Sequence, residues 1–556
     1  MTMPINRRNM ISLMGAGAAM AVTPGADAAA MLPSAKFAHG VSSGDPASDG
    51  AVIWTRATIA DGQSGDVPLM WHVALNKDAK PLKSGKVIAA AAADHTAKVV
   101  VAGLKPGQDY TYWFACKDGA RSPMGQFRTL PVGSTEKVVL ALVSCQLYPG
   151  GFFNAYADLA KQDRIDAVLH LGDYIYEYGA TGYGAETGTA LNRLPDPPHE
   201  ILTLNDYRRR HAQVKSDPMM QAAHARAAFI CVWDDHEVAN DSWIGGAENH
   251  DPASEGDWRA RKAAALQAYF EWMPIRNPAA ASDPASIYRS FEFGDLATLA
   301  MVETRLLARD QQIIAKDVEP DAAALAAMLK QRENPQRDLL GAAQLNWLEG
   351  VYTQSVKAAK PWQLLGNQVL IARVPGPDLQ AALGDTGYGA LLAKLPAAYR
   401  TQLAQAQVRF KSGLPFNLDS WDGYPPARER LYAMLRKVGA NTVAFAGDSH
   451  AAWANDLYDD KGVLVAAEFG TSSITSPSFG SLLPGIGKII AAQSSEVAFC
   501  DQDMKGYTLV TLTRDAATAE FVTVSTVMSR EFERGIAARY SRSAGRRDAP
   551  LQSQPV

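Results

Sequence analysis

Cysteine is scarce in this chain, which has four cysteines in 556 residues. No two of them stand in the CxxC spacing of a zinc ribbon or a thiol redox centre, and four are too few to cross-link a protein of this length. Cys231 lies inside an apolar run and is predicted to be a small buried hydrophobic residue. Cys145 differs because it stands where an apolar run ends.

An excess of positive charge and long apolar runs are also absent. The formal net charge is −4, so there is no basic stripe of the kind that follows a nucleic-acid backbone, and long nucleic acid is not an expected partner. Beyond the N-terminus, nothing approaches the ~18 uninterrupted apolar residues of a spanning helix. We therefore expect no stable membrane span.

The first 30 residues have the pattern of an export signal. Arg7 and Arg8 precede an apolar run from Met10 to Val22, and small residues at 26–30 provide cleavage points. The pattern predicts a twin-arginine signal peptide over residues 1–30, with the twin-arginine export machinery as a partner and a periplasmic or secreted destination. That route carries folded proteins, which suits a protein that acquires its cofactor in the cytoplasm. The alternative is a disordered tail with two chance arginines.

The rest of the chain is long enough for two or more packed units, being 47% apolar and 20% charged overall. Residues 31–132 contain short alternating strands separated by turn signals, such as Ala51 to Thr55 and Met70 to Ala74. A turn at Pro106 and Gly107 leads into an aromatic strand, and this stretch resembles a fibronectin type III repeat. We predict a small fibronectin III-like β-sandwich with no catalytic role.

Residues 133–540 change to buried strands that alternate with helices. Val138 to Val143 is a continuous apolar run, and a helix-period segment and a second run, Ala167 to Leu171, follow it. This order predicts a βαβ unit with parallel strands. Similar runs recur along the chain, so an α/β fold with a large sheet flanked by helices is expected.

The C-terminal region is predicted in three parts. Tyr507 to Leu512 and Ala519 to Val524 have the pattern of a hairpin. Ser529 to Tyr540 has helical spacing and several charges, which favours a docked surface helix, with a lid over the functional site as the alternative. Residues 541–556 are polar and are predicted to form a frayed tail.

Polar residues stand where four of the apolar runs end, and they provide five carboxylates, two histidines, a thiol and two phenols. In open α/β sheets, function lies beyond the carboxyl ends of the strands, so these groups should meet at one edge. Bound cations would relieve the repulsion between so many acids. Carboxylate and phenolate suit hard ions, whereas thiolate and imidazole favour a transition metal, so a mixed site such as iron with calcium fits better than zinc alone. The four segments are Ser144 to Gln146, Gly172 to Tyr176, Asp234 to Glu237 and Gly447 to His450.

These motifs resemble those of the calcineurin-like metallophosphoesterases, and within that superfamily those of the PhoD-type alkaline phosphatases and phosphodiesterases. The resemblance covers essentially the whole mature chain and includes Trp233 to Val238 and Trp421 to Tyr424. It implies a metallophosphoesterase-type βαβ sandwich, with mixed sheets flanked by helices, after the N-terminal β-sandwich.

The resemblance also implies an iron site. The Gly-Asp-x-x-Tyr sequence that ends at Tyr176 is similar to the signature shared with purple acid phosphatases, in which Asp173 would bridge two metals and Tyr176 would bind iron. Cys145 stands where the wider superfamily has its first carboxylate, and His450 where it has its last imidazole. Together these four residues would complete a ferric site.

Three more residues are candidate ligands of a second metal position. Asp235 and Asp448 stand where the superfamily commonly has softer or neutral ligands, which favours calcium there. Asn240 is a further candidate, with a helix-cap or turn residue as the alternative. The expected cofactors are Fe³⁺ with one or two Ca²⁺, and other divalent metals remain open.

His236 directly follows a candidate ligand and is predicted to be the catalytic residue, as a general acid or a stabiliser of charge on the leaving oxygen. Arg305 and Arg309 could clamp a phosphate, or could equally pair with Glu303 and surface acids. His170 lies inside an apolar strand and is expected to be a core residue without a catalytic role.

The predicted function is that of an exported, metal-dependent phosphoester hydrolase, in which a metal-bound hydroxide attacks phosphorus directly. Its substrate would be a small phosphoester, for phosphate scavenging, and the protein is expected to be a monomer. One alternative is a phospholipase D-like phosphodiesterase that acts on lipid head groups, although no basic amphipathic segment supports it. Others are a surface protein that binds phosphate or metal without turnover, and a haloperoxidase or other iron redox enzyme, for which no GxGxxG fingerprint is present.

Overall fold

The structure is a computed structural model that describes residues 35–59, 64–279, 282–315, 321–395 and 397–556. The predicted signal peptide over residues 1–30 lies outside the described residues. Across the described ranges, none of the helices combines the length and the apolar character that crossing a membrane requires.

The strands of the described residues are, in chain order, β1 (Ala35–Lys36), β2 (Val41–Ala47), β3 (Gly50–Arg56), β4 (Thr58–Ile59), β5 (Val67–Ala74), β6 (Lys83–Ala89), β7 (Thr96–Val101), β8 (Asp109–Cys116), β9 (Gly125–Arg128), β10 (Lys137–Val143), β11 (Ala167–His170), β12 (Ala228–Cys231), β13 (Arg289–Phe293), β14 (Ala297–Met301), β15 (Trp362–Gly366), β16 (Thr442–Ala446), β17 (Ala452–Tyr458), β18 (Leu464–Gly470), β19 (Val497–Asp501), β20 (Lys505–Thr513), β21 (Ala516–Val524), β22 (Arg534–Ser543) and β23 (Gln552–Gln554).

The α-helices of the described residues are α1 (Asn154–Leu159), α2 (Ala185–Leu191), α3 (Leu204–Lys215), α4 (Pro218–Arg226), α5 (Pro252–Glu255), α6 (Trp258–Trp272), α7 (Ala322–Arg332), α8 (Gly341–Lys357), α9 (Leu379–Lys394), α10 (Ala397–Lys411), α11 (Pro425–Val438) and α12 (Ile486–Gln493). Local sequence explains several ends. Thr203 and Asp206 form a reciprocal capping box at the start of α3. Helix α11 is capped at its C-terminal end by Gly439, whose φ of 67° suits glycine.

The N-terminal β-sandwich has two sheets, but one of them is not separate from the rest of the protein. Strands β6, β5, β8 and β9 form a four-stranded sheet, in that order. Strands β2, β3 and β7 extend a ten-stranded sheet, ordered β23-β22-β21-β20-β10-β11-β12-β2-β3-β7. The junction is the parallel pairing of β12 with β2, where Ala228 lies opposite Ser43. The sandwich and the α/β region therefore share a sheet, which the sequence did not indicate.

The α/β region contains two packed sheets rather than one large sheet. Strands β10, β11 and β12 are parallel in the ten-stranded sheet, as the βαβ pattern predicted. The later apolar runs form a second, seven-stranded sheet, ordered β13-β14-β15-β16-β18-β17-β19. Leu140 and Leu364, one from each sheet, belong to the same hydrophobic core. On its other face, the second sheet packs against α8 and α11 through residues such as Leu348 and Leu431.

The C-terminal region differs from the prediction in two respects. The hairpin is confirmed, because β20 and β21 pair in antiparallel fashion. The predicted helix over Ser529 to Tyr540 is wrong, since most of it belongs to β22, which pairs with the edge of β21. The predicted frayed tail is also wrong in part, because β23 pairs with β22 and the buried Leu551 donates its N–H to the carboxylate of Asp456 at 2.9 Å. The domain boundaries themselves remain predictions.

Candidate metal centre

The carboxyl ends of four strands from the two sheets bring the polar segments together. Cys145 follows β10 by two residues, Asp173 follows β11 by three, Asp235 follows β12 by four, and Asp448 follows β16 by two. The parallel register places Val143 of β10 opposite His170 of β11, so their following loops begin at the same level. This is the edge at which α/β sheets carry their sites.

The backbone of these loops is unusual. Cys145, Asp173, Asp448 and His450 all have φ between 57° and 59°, in the left-handed region that residues with a Cβ rarely adopt. Gly172 between them has φ 109°, and a Cβ there would lie 2.3 Å from the Cβ of Asp234. Such a concentration of strained residues is typical of a functional site.

Cys145, Asp173 and His450 form the first cluster. Each offers one ligand atom, and the three atoms lie within 4.8 Å of one another. The Tyr176 hydroxyl lies 3.0 Å from Asp173 Oδ2 and 3.5 Å from His450 Nε2. The four residues predicted for the iron site are therefore neighbours in space, and their thiol, phenol, imidazole and carboxylate suit a transition metal.

The segment Ser476 to Ser478 supports this cluster and was missed by sequence reasoning. The Ser476 hydroxyl donates to the backbone carbonyl of Cys145 at 2.9 Å and lies 2.7 Å from the Tyr176 hydroxyl. The Pro477 carbonyl lies 2.7 Å from His450 Nδ1. Because Nδ1 donates to that carbonyl, Nε2 is the nitrogen left with a lone pair. Burial lowers the pKa of His450 to about 3, which keeps the imidazole in its neutral, metal-binding form.

Asp234, Asp235 and Asp448 form a second cluster, again with ligand atoms within 4.8 Å of one another. The Arg305 guanidinium lies against it. Arg305 Nε donates to Asp234, and its Nη2 lies 3.0 Å from Asp448 Oδ1 and 3.7 Å from Asp235 Oδ1. Arg305 Nη1 donates to Asp419 at 2.6 Å. All three guanidinium nitrogens are thus bonded to buried acids, which explains the fixed position of Arg305.

The structure does not show the predicted pairing of Arg305 and Arg309 with Glu303 and surface acids. Both side chains are fully buried and contact Asp419, rather than surface acids. Glu303 accepts from the backbone N–H of Arg305 at 2.9 Å, not from its guanidinium. Arg305 uses three of its five N–H groups on carboxylates, and Arg309 Nε and Nη1 have no hydrogen-bond partner among the described residues, so a phosphate clamp by these arginines stays a prediction.

His236 lies between the two clusters. One of its ring nitrogens, Asp173 and Asp235 offer ligand atoms within 4.8 Å of one another. His236 Nδ1 lies 2.7 Å from Glu177 Oε2, so Nε2 is the nitrogen available to a substrate. Burial would lower the pKa of His236, but the carboxylates of Glu177, Asp235 and Asp173 raise it well above the usual value. The ring is therefore held as a proton donor.

Asn240 lies beside this group but has another contact. Its side-chain amide nitrogen donates to Glu248 Oε2 at 3.0 Å, and its backbone N–H donates to Glu177 Oε1 at 2.8 Å. These contacts do not decide whether the Asn240 carbonyl oxygen also binds a metal, so its role stays a prediction. His170, in contrast, is a buried core residue as predicted, with Nε2 3.1 Å from Gln146 Oε1.

Glu237 organises the loops without being a ligand of either cluster. Its carboxylate accepts from the backbone N–H of Asp173 at 3.1 Å, of Tyr174 at 2.6 Å and of Asp234 at 2.8 Å. Three loop N–H groups are thereby satisfied in a dry interior. The sequence places Glu237 at the end of the Asp-Asp-His-Glu segment, but it does not predict that Glu237 binds these backbone N–H groups.

The unsatisfied atoms of the centre fit bound cations. Asp173 Oδ1 and Asp234 Oδ2 are buried and have no hydrogen-bond partner among the described residues. Burial raises the pKa of Asp173, of Asp448 and of the Cys145 thiol, and neighbouring carboxylates raise all three further. Cations would reverse these shifts and satisfy the two oxygens. The residues present therefore suit metal ions, and Asp173 belongs to two of the three groups of ligand atoms.

Comparisons with known proteins agree with this geometry. The family model "PhoD-like phosphatase" matches residues 140–521, and "PhoD-like phosphatase, N-terminal domain" matches residues 23–131. Alkaline phosphatase D of Bacillus subtilis (strain 168) is 33% identical over 505 residues, which cover 88% of this chain and 77% of that protein. A solved structure titled "Structure of PhoD" superposes with a TM-score of 0.76 at 30% identity, covering 95% of this chain and 94% of that one.

Proposed function

Because the chain belongs to the PhoD-like phosphatase family and is a phosphoric ester hydrolase of the alkaline phosphatase D type, we propose that it holds Fe³⁺ together with one or two Ca²⁺. The observation that carries this proposal is Asp173, which has a buried, unpartnered Oδ1 and offers a ligand atom both to the group with Cys145 and His450 and to a group with Asp235 and His236. Thiolate, phenolate and imidazole suit iron, and the carboxylates of Asp235 and Asp448 suit calcium.

Bound metals would supply an activated water for direct in-line displacement at phosphorus and would neutralise the charge of the phosphoryl group. The protein's own residues position the reaction. Glu177 orients His236, whose Nε2 would donate a proton to the leaving oxygen. Glu237 holds the loops that carry Asp173 and Asp234. No covalent intermediate with a side chain is required.

The export and the location of the enzyme are also part of the proposal. The arginine pair and apolar run of residues 1–30 support export through the twin-arginine machinery to the periplasm or the medium. There a monomeric enzyme acting on small phosphoesters would release phosphate for scavenging. These points rest on the sequence pattern and on the kinship with alkaline phosphatase D.

Substitutions that separate metal binding from turnover test the site. Cys145→Ala and Asp173→Asn are expected to lose bound metal, because each removes a ligand that no neighbour can replace. His236→Ala should keep the metal content of the wild type and lose about 10²- to 10⁴-fold in kcat, the usual contribution of an acid catalyst. The measurements are elemental analysis of the purified variants and kcat on an aryl phosphate. Full metal and activity in Asp173→Asn would show that the site is assigned wrongly.

A further inference from the structure

Lys505 lies beside the first cluster but has no part in the centre described above. It is the first residue of β20, and its Nζ donates to the Ser478 hydroxyl at 3.1 Å. Ser478 directly follows Pro477, whose carbonyl lies 2.7 Å from His450 Nδ1. Lys505 and His450 thus contact two consecutive residues, Ser478 and Pro477, of the same segment.

The positive charge of Lys505 has no paired acid. Among the described residues, no carboxylate oxygen lies within 4.0 Å of its Nζ, and Ser478 is its one hydrogen-bond partner. An ammonium has three N–H donors, so two are unused. The side chain is half-buried, and burial lowers its pKa to about 8. Asp501 and Asp503 act on this charge from beyond 4.0 Å, and an anion bound nearby would provide a direct partner for the two unused donors.

Lys505 also differs from the other cation of the centre. Arg305 is fully buried, and all of its guanidinium nitrogens are bonded to acids on the carboxylate side. Lys505 instead acts on members of the first cluster, because its charge lowers the pKa of His450 and Cys145 in turn raises the pKa of Lys505. Of these two cations, Lys505 is the one without a hydrogen-bonded carboxylate among the described residues.

We propose that Lys505 binds a non-bridging phosphoryl oxygen of the substrate, and that it makes the site favour phosphate monoesters over diesters. A monoester is close to a dianion at pH 7.5, with a phosphate pKa of about 6. A diester carries one charge and one non-bridging oxygen fewer, so it gains less from a nearby ammonium group. The inference rests on the proposed function and specifies its substrate class.

The test compares two substrates with the same leaving group, para-nitrophenyl phosphate and its methyl diester, at pH 7.5 with metal-loaded enzyme. Lys505→Gln is expected to lower kcat/KM for the monoester by about ten- to a hundredfold, as for loss of a hydrogen bond to a charged group. The value for the diester should change by less than about threefold. Lys505→Arg should retain most of the monoester activity, because it keeps a cationic donor.

Two controls separate this role from damage to the fold. Lys461→Gln removes an exposed lysine from the loop before β18 and should leave both substrates unaffected. Elemental analysis should give the same metal content in Lys505→Gln as in the wild type. Calorimetric titration with inorganic phosphate should show that Lys505→Gln weakens binding by about tenfold or more.

An equal loss for both substrates at unchanged metal content, or no loss for the monoester, would overturn the role of Lys505. Failure of the proposed function would be recognised differently, as a metal-loaded wild type that hydrolyses neither ester. Even in that case the phosphate titration decides the inference. Equal affinities of Lys505→Gln and wild type for phosphate would refute it, and weaker affinity of the variant would support it.

Discussion

Glu177 is a buried carboxylate that contacts the proposed acid, His236, through one oxygen and the loop that follows it through the other. Its Oε2 lies 2.7 Å from His236 Nδ1, and its Oε1 accepts from the backbone N–H of Asn240 at 2.8 Å and from the Asn249 side chain at 2.9 Å. Burial would raise the pKa of Glu177, but the charge of His236 and these hydrogen bonds lower it. These contacts favour the ionised form of Glu177, and we expect it to act through His236 as a positioning residue.

Glu177→Gln is expected to lower kcat by about ten- to a hundredfold while leaving the metal content unchanged. The amide keeps the size of the side chain but loses the charge that holds His236 as a proton donor. Steady-state kinetics and elemental analysis of the same preparation measure the two effects.

The double variant Glu177→Gln/His236→Ala provides the control for this prediction. If Glu177 acts through the imidazole, the double variant should have the same kcat as His236→Ala alone. Multiplicative losses would contradict the prediction and would give Glu177 a role of its own.

The grouping of Cys145 and Asp173 could be predicted because each follows an apolar strand, and strand ends at one sheet edge are close in space. Asp448 follows β16 of the second sheet, and it joins them because the two sheets pack together. Glu177 and Lys505 could not be placed in the same way. Glu177 pairs with a residue 59 positions away across two loops, and Lys505 begins a strand instead of ending one. Spacing along the sequence contains no information about such contacts.

Among the secondary-structure elements, α3 ends in a charged residue that points into the protein. Lys215 is 1% exposed, with its Nζ 3.4 Å from the Ser42 hydroxyl, 4.6 Å from the centre of the Trp54 ring and 5.1 Å from that of Tyr174. No carboxylate of the described residues is within 4.0 Å of it. Burial lowers the pKa of Lys215 to about 7, from an ordinary 10.5.

Lys215→Met should therefore raise the free energy of unfolding at neutral pH by about 1 to 3 kcal/mol. Between pH values of about 7 and 10.5, the unfolded chain binds the lysine proton and the folded chain does not, so the stability of the wild type rises with pH there. The difference in the free energy of unfolding between Lys215→Met and the wild type is then largest at or below about pH 7 and decreases towards pH 10. Urea denaturation of both proteins across that range measures the difference, and an advantage that does not change with pH would contradict the prediction.

The C-terminal elements illustrate why pattern alone misassigned β22. Charged residues at helical spacing over Ser529 to Tyr540 favoured a helix, yet the antiparallel edge of β21 offers backbone groups that pair with β22, placing Ala538 opposite Phe521. Tyr540 also packs beside Phe499, with ring centres 5.8 Å apart. Long-range pairing and packing override a weak local preference for helix. The sequence of residues 529–540 alone does not reveal that the edge of β21 is available for pairing.

At the scale of the whole molecule, the accessory sandwich is integrated into the catalytic fold. The ten-stranded sheet passes from the sandwich into the α/β region where β2 pairs with β12. Ala228 of β12 belongs to the hydrophobic core of the sandwich. Arg289 of the second sheet pairs with Asp45 of β2 at 2.6 Å. These connections favour unfolding of the two regions as one cooperative unit.

A core substitution in the sandwich should therefore destabilise the distant active centre. Phe114 is fully buried in the sandwich core, and Phe114→Ala should cost about 3 to 5 kcal/mol. In a thermal scan of the metal-loaded enzyme, circular dichroism and residual phosphatase activity should be lost together, at a lower temperature than in the wild type. If the sandwich were independent, the variant would show an early transition that leaves activity intact, followed by a second one at the wild-type temperature. A single shifted transition would establish that the sandwich stabilises the metal centre through the shared sheet.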